Sequence, residues 1–146
     1  MKEITKIVVP LDLGDHTRKL VDFALYIAEK LGAHISFIHV VEFYAPAYLM
    51  ASPSLEEFNL EQVEKTTDMM AGLIENNKEK YSNISGIVNQ GETVESIVKF
   101  AEEEQAGLLI IGTHGSKGLE RILLGSVARR VVKRVHCPSL LMNPYK

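Results

Sequence analysis

Three glycines and a serine near the C-terminal end of the chain have the residue types and spacing of a phosphate-binding loop. An apolar run, 108–111, opens into Gly112-Thr113-His114-Gly115, and Gly125-Ser126 precedes a helical pattern, which gives the motif G-x2-G-x9-G-S. Glycines at such a bend allow a positive φ angle and let a ligand contact the backbone. The amide groups of the loop and of the next helix's first turn then face an anion. The motif predicts a phosphate site.

A carboxylate at a second strand end suits another part of the same ligand. Asp12 closes the apolar run 7–11, and its oxygens can accept a hydrogen bond from a ribose hydroxyl, a base amine or a metal-bound water. Taken alone, Asp12 can equally cap the next helix or a turn. Its pairing with the glycine loop favours the nucleotide.

Short apolar runs alternate with segments of helical periodicity along the chain, and Gly32 closes the first helix. Strands separated by helices form right-handed βαβ units, and these build a parallel sheet covered on both faces. The sequence therefore predicts an α/β fold with a doubly wound five-stranded sheet, a Rossmann-like or flavodoxin-like sandwich. The predicted strands are 7–11, 35–41, 84–88, 108–111 and 139–142, and the predicted helices are 20–31, 63–81, 94–101 and 127–135.

The common strand order for a small sheet of this kind is 3-2-1-4-5, in which strands one and four are neighbours. Ligands bind outside the carboxyl ends of the strands, where the winding direction reverses. Asp12 and Gly112 stand at these two strand ends. We therefore expect them to meet at one site.

Length, charge and cysteine content restrict the class of protein. The chain has 146 residues, enough for one domain, 1–146, with its own core. A net charge of −3 excludes a globally basic nucleic-acid binder, and no apolar stretch approaches the ~18 residues of a membrane span. The single cysteine, Cys137, cannot form an internal disulfide, which favours a reducing compartment. We expect a cytoplasmic protein that binds neither nucleic acid nor membrane.

Other nucleotide-binding folds carry signatures that this chain lacks. It has no G-x-x-x-x-G-K-[ST] motif, and no G-x-G-x-x-G follows the first predicted strand, which argues against a P-loop protein and a dinucleotide site. The loop 12–17 holds one glycine and two acids, which would repel the phosphate of a flavodoxin-type ligand. A two-component receiver domain stays open because Asp12 and Asp15 can bind magnesium. It would need a phosphoacceptor aspartate after strand three, and 88–91 has none.

The residues match a known family over the whole chain. Gly112, Gly115 and 125–126 reproduce the ATP-binding signature of the nucleotide-binding branch of the universal stress protein family, which this chain resembles. The likeness extends to 8–12, 24–32, 39–41, 123–128 and 137–141.

The resemblance implies an ATP-binding protein and a set of contacts. Asp12 and the backbone of Val40 would hold the adenosine, and the glycine loop with the amides of 125–127 would hold the phosphates, through which Mg²⁺ binds. Arg129 stands in the first turn of the last helix, where a cation opposes the helix dipole unless an anion is bound. The predicted ligand-binding residues are Pro10, Leu11, Asp12, Val40, Gly112, Thr113, His114, Gly115, Gly125, Ser126, Val127 and Arg129.

Two further features concern the surface of the site and its partners. Lys117 and Arg121 flank the loop as candidate phosphate partners. The apolar, non-periodic segment 43–50 is typical of a flap over the site or of a partner surface. The sequence does not identify a downstream protein partner.

The last predicted strand is an edge of the sheet in this order. Leu140, Leu141 and Met142 make it apolar, so we expect two copies to pair antiparallel there. The resemblance implies the same homodimer. Pro138 and Pro144 leave open a monomer in which they protect the edge.

Binding is better supported than catalysis. An efficient ATPase needs a positioned base, a metal site and a group that stabilises charge near the γ-phosphate, and the candidates here are Asp12, Asp15, His114 and Arg129. We expect a regulatory stress-response protein with at most slow hydrolysis. The alternative is a nucleotide-independent dimeric interaction module whose glycine loop is structural.

Overall fold

The computed structural model of the protein describes residues 3–42, 53–115 and 124–146, without the side chains of Pro53 and Ser54. Five strands and four helices alternate along these residues. The elements are β1 (Lys6–Pro10), α1 (Thr17–Leu31), β2 (His34–Val41), α2 (Pro53–Asn77), β3 (Ile84–Gln90), α3 (Thr93–Glu103), β4 (Leu108–Gly112), α4 (Ser126–Arg134) and β5 (Ser139–Met142).

The strands form one parallel sheet in the order β3-β2-β1-β4-β5, which confirms the predicted topology. Helices α1 and α2 cover one face, and α3 and α4 cover the other. Alternate side chains of β1 enter different cores, since Ile7 and Val9 pack on the α1 side and Val8 packs on the α3 side. Burial on both faces explains why the central strands are continuous apolar runs.

Helix α1 shows how periodic apolar residues set the packing. Leu20, Ala24 and Ala28 recur at helical spacing and are buried against the sheet. Gly32 ends the helix as predicted, in the left-handed conformation with φ of +64°, and its N–H donates to the carbonyl of Ala28.

Helix α2 differs from the predicted span 63–81. It begins at Pro53, and its first turns lack the apolar periodicity on which the prediction depended; Phe58 there is exposed. Tyr81, predicted as the last apolar position of this helix, lies beyond its end at Asn77, and the tyrosine hydroxyl donates to Ala33 O at 2.5 Å. Among the described residues, neither α2 nor any other helix has the length and apolar character needed to cross a membrane.

Strands β1 and β2 end at different levels on the carboxyl edge of the sheet. β1 stops at Pro10, opposite Ile38, whereas β2 continues to Val41. β4, on the other side of β1, ends at Gly112. A recess therefore opens beyond β1, between β2 and β4, where the winding direction reverses.

Candidate functional site

A cavity of about 570 Å³ occupies this recess, a volume within the range of small-ligand pockets. Its walls come from both faces of the sheet. Leu20 and Met142 line it from the α1 side, and Ile97 and Ala128 line it from the α3 side. The cavity thus reaches across the carboxyl edge of the sheet.

The structure brings the predicted ligand residues together at this cavity, with one exception. Arg129 is exposed and is not among the residues that line it. Lys117, Arg121 and the segment 43–50 lie outside the described residues. The predicted residues that line the cavity are Pro10, Leu11, Asp12, Val40, Gly112, Thr113, His114, Gly115, Gly125, Ser126 and Val127.

A short backbone hydrogen bond joins the two ends of the glycine loop. Gly125 N–H donates to Thr113 O at 2.7 Å, which sets the start of α4 directly against the end of β4. A Cβ on Gly125 would stand 3.0 Å from the same oxygen. The positive φ angles that glycine allows do not occur at this bend, since Gly112, Gly115 and Gly125 have none. Close backbone approach, rather than a left-handed turn, is what requires glycine at position 125.

The N-terminus of α4 opens on the cavity without a capping side chain. Gly125 is the N-cap and has no side chain with which to cap the first turn, and no acidic residue stands in that turn. Arg129 N–H donates to Gly125 O at 3.0 Å, so the N–H groups of the residues 126–128 precede the first intrahelical bond. These donors and the positive end of the helix dipole suit an anion.

The N-terminus of α3, across the cavity, already has carboxylates as partners. Glu92 is its N-cap, and the bond that it accepts from Glu95 N–H lowers the pKa of the Glu92 carboxyl. Arg130 lies 3.4 Å from the same carboxylate. Glu42, directly after β2, accepts Thr93 N–H at 2.9 Å and the Thr93 hydroxyl at 2.7 Å. A phosphate at α3 would meet two acids, so α4 is the favourable anion site.

Asp12 lies beyond the end of β1 in a tight turn. Its Oδ1 accepts Gly14 N–H at 2.9 Å, and the Thr17 hydroxyl lies 3.5 Å away. Asp12 therefore does stabilise a turn, as one reading of the sequence held. Leu13 within this turn has φ of +61°, a conformation that costs a residue with a Cβ about 1–2 kcal/mol. Oδ2 faces the glycine loop, because a Cβ on Gly115 would stand 3.3 Å from it.

Val40 presents its backbone to the recess beyond β1. In a parallel sheet, the N–H and C=O of alternate residues point to the same neighbouring strand. Leu11 N–H donates to Ile38 O at 2.8 Å, so the backbone groups of Ile38 point towards β1. Those of Val40, two residues later, point in the same direction, beyond the end of β1. Leu11 O lies 2.8 Å from His39 Nδ1, which must donate because a carbonyl only accepts. His39 is thus a hydrogen-bonded ring that also lines the cavity.

The last residues of the chain close the α1 side of the cavity. The ring of Tyr145 packs edge-on against His114 and against His16, with centroid distances of 5.1 Å and 5.0 Å. His114 is buried, and its Nδ1 lies 2.7 Å from Thr113 Oγ1. The histidine therefore packs the glycine loop against the C-terminal segment while it lines the cavity.

Sequence reasoning missed several polar residues that line the cavity: His16, Thr17 and Thr93. Each belongs to a segment that follows a strand at the carboxyl edge of the sheet. Their position, rather than any motif, was the available signal. Glu42, which holds Thr93, follows β2 in the same way.

The arrangement is suited to holding a ligand that combines an anion with a hydrogen-bonding ring. Backbone donors face the anion, the Asp12 carboxylate accepts from a hydroxyl or an amine, and Val40 offers one backbone donor and one acceptor. In the part of the chain that the structure describes, no group of three or more His, Cys, Asp or Glu side chains is placed to hold a metal ion.

Comparison with known proteins gives one consistent answer. The sequence model of the universal stress protein family matches residues 3–143. A universal stress protein of Methanocaldococcus jannaschii is 36% identical over 141 residues, which cover 97% of this chain and 83% of the relative.

Solved structures agree with the sequence comparison. Universal stress protein UspA from Lactobacillus plantarum matches with a TM-score of 0.85 at 22% identity, covering 97% of this chain and 99% of the other. The universal stress protein from Archaeoglobus fulgidus in complex with dAMP matches with a TM-score of 0.60 at 20% identity, covering 96% and 98%. At these levels of identity, the likeness of the two structures to this chain shows a common fold.

Proposed function

The chain belongs to the universal stress protein family, and we propose that it is an ATP-binding member of it. In this proposal the chain is one domain, 1–146, of a cytoplasmic regulatory protein. ATP occupies the cavity at the carboxyl edge of the sheet, and Mg²⁺ is held through the phosphates.

One observation carries the proposal: the N-terminus of α4, whose N-cap is a glycine, opens on the cavity. Gly125 supplies no side chain to the first turn, and no acid stands there. A helix start in this state binds phosphate through its N–H groups and dipole. The competing helix start, at α3, has Glu42 and Glu92 as neighbours. The charges therefore orient the ligand, with its phosphates at α4 and its base towards α3.

The remaining lining residues fit the adenosine. Asp12 accepts a ribose hydroxyl or a base amine, consistent with its position between the end of β1 and the glycine loop. Val40 offers a backbone donor and acceptor beyond the end of β1, which suit the acceptor and amino group of adenine. The dAMP of the Archaeoglobus fulgidus relative combines the same two groups, an adenine and a phosphate.

The described side chains support binding rather than rapid turnover. Efficient phosphoryl transfer needs a positioned base and groups that stabilise charge on the transferred phosphate. His114, a candidate for such a role, is packed against Tyr145, and Arg129 is exposed away from the cavity lining. We expect at most slow hydrolysis.

The proposed assembly is a homodimer through β5. Among the residues that the structure describes, this strand pairs with β4 alone, and Leu140 and Leu141 remain 37% and 46% exposed on its two faces. Pairing of two copies would cover both residues and satisfy the strand's outer backbone groups.

Equilibrium dialysis with labelled ATP and Mg²⁺, followed by denaturation and chromatography of the nucleotide, tests the proposal. We expect saturable binding near one ATP per chain, with little ADP formed, and loss of binding in Gly125→Val. Absence of saturable binding by the wild-type chain would leave the nucleotide-independent interaction module as the function of this fold.

A further inference from the structure

Thr93 brings a hydroxyl-bearing side chain to the part of the cavity that the proposed function assigns to the base. It is the first residue of α3 and lines the cavity beside the apolar Ile38, Val40 and Ile97. Val40 and Ile97 both pack in the core on this face of the sheet. A polar atom among such neighbours has a strong effect on which ligand group is accepted.

Glu42 fixes the direction in which this hydroxyl donates. The same carboxylate oxygen, Glu42 Oε1, lies 2.7 Å from Thr93 Oγ1 and 2.9 Å from Thr93 N. A carboxylate only accepts hydrogen bonds, so the hydroxyl hydrogen is directed to Glu42. The backbone bond to the same oxygen holds the pair in place. A ligand group that reaches this hydroxyl oxygen therefore meets lone pairs and no hydrogen.

We propose that Thr93, held by Glu42, is a specificity-determining residue that selects a 6-amino purine over a 6-oxo purine. The inference rests on the proposed function, since it needs a nucleotide in this cavity. The 6-amino group of adenine donates a hydrogen bond, whereas the 6-oxygen of guanine or hypoxanthine accepts one. An amino group satisfies the fixed acceptor. A 6-oxygen would face the Thr93 oxygen with no hydrogen between these two acceptors.

Three triphosphates differ in the group at the 6-position: ATP, ITP with its 6-oxo base, and purine riboside triphosphate, which lacks any 6-substituent. Substitution of Thr93 separates its contact with this group from that of the Val40 backbone. We expect wild-type protein to bind ATP about tenfold more tightly than either analogue. Thr93→Val, which removes the oxygen and keeps the shape, should weaken ATP and leave purine riboside triphosphate unchanged. Thr93→Ser should restore the preference, and Glu42→Ala should improve ITP binding because the freed hydroxyl can then donate.

Thr66→Val is the matched control, since the Thr66 hydroxyl bonds to Gln62 O within α2 and the residue does not line the cavity. It should leave all three affinities unchanged. Equal weakening of ATP and purine riboside triphosphate by Thr93→Val, or no weakening of either, would overturn the inference while ATP binding itself stands. Failure of the wild-type chain to bind any of the three would overturn the proposed function as well.

Discussion

The carboxylate of Asp12 lies against Gly115, so close that a Cβ on the glycine would stand 3.3 Å from Asp12 Oδ2. This contact joins the end of β1 to the loop after β4, two strands that are neighbours in the sheet and distant in sequence. The carboxylate proposed to bind the adenosine is therefore in contact with the loop proposed to bind the phosphates. A substitution of either one should affect binding of the whole nucleotide.

Substitutions of Asp12 should separate its binding role from its structural role. Asp12→Asn keeps an oxygen for Gly14 N–H, whereas Asp12→Ala removes the acceptor of that 2.9 Å bond. We expect both to weaken ATP binding, and only Asp12→Ala to lower the free energy of unfolding, by about 1 kcal/mol. Titration calorimetry and denaturant unfolding measure the two effects. Wild-type affinity in both variants would remove Asp12 from the site.

Gly125→Ala tests whether close backbone approach is what requires glycine at the start of α4. The φ of −63° suits alanine, but the new Cβ would stand 3.0 Å from Thr113 O. We expect destabilisation of about 1–3 kcal/mol and a large loss of ATP affinity.

Gly72→Ala provides the control for this substitution. A Cβ at Gly72, within α2, meets nothing within 4 Å, so this variant should be more stable by about 0.5–1 kcal/mol. Its ATP affinity should equal that of the wild type. If Gly125→Ala behaves in the same way, the loop does not depend on close approach.

The Glu92 cap gives α3 a pH-dependent contribution to stability. Because the bond from Glu95 N–H lowers the pKa of Glu92, its carboxylate stabilises the fold above the ordinary glutamate range, and this stabilisation is lost as the pH falls through the lowered pKa. Glu92→Ala should therefore cost about 1 kcal/mol near neutral pH. The difference from wild type should shrink in acid. Chemical denaturation over a pH series measures it, and a gap that stays constant to low pH would contradict the cap.

Substitution on β5 tests the proposed dimer. Leu141 is 46% exposed on the edge strand, and Leu141→Lys should convert a dimer to a monomer because charged edge residues oppose strand pairing. Leu60→Lys, at a residue of α2 that is 66% exposed, is the control and should remain dimeric. Sedimentation velocity distinguishes these states. A wild-type monomer at tens of micromolar would contradict the assembly.

The fold could be predicted from the sequence because burial leaves a direct signal. Strands buried on both faces are continuous apolar runs, and α1 repeats apolar residues at helical spacing, so their order and type were evident. The start of α2 was not evident from the sequence, because residues such as Phe58 are exposed there and carry no burial pattern. Tyr81 was misplaced for a related reason: its ring is partly buried and continues the apolar series, although the helix ends at Asn77.

The candidate site could be predicted in part. The glycine spacing and Asp12 marked the two strand ends, since a motif is a local pattern. Glu42 and Thr93 were missed because their contact depends on how far β2 extends past β1 and where α3 begins. The reason for glycine at position 125 stayed open, because sequence alone does not distinguish a positive φ angle from a close approach to Thr113 O.

Thermal unfolding with and without Mg²⁺ and ATP tests the central claim most directly. At 100-fold excess over Kd, a ligand bound to the native state alone stabilises it by about 2.7 kcal/mol, which raises Tm by several degrees for a protein of this size. The account predicts this rise for the wild-type chain and its loss in Gly125→Val. An unchanged Tm for the wild-type chain up to millimolar ATP would contradict the account.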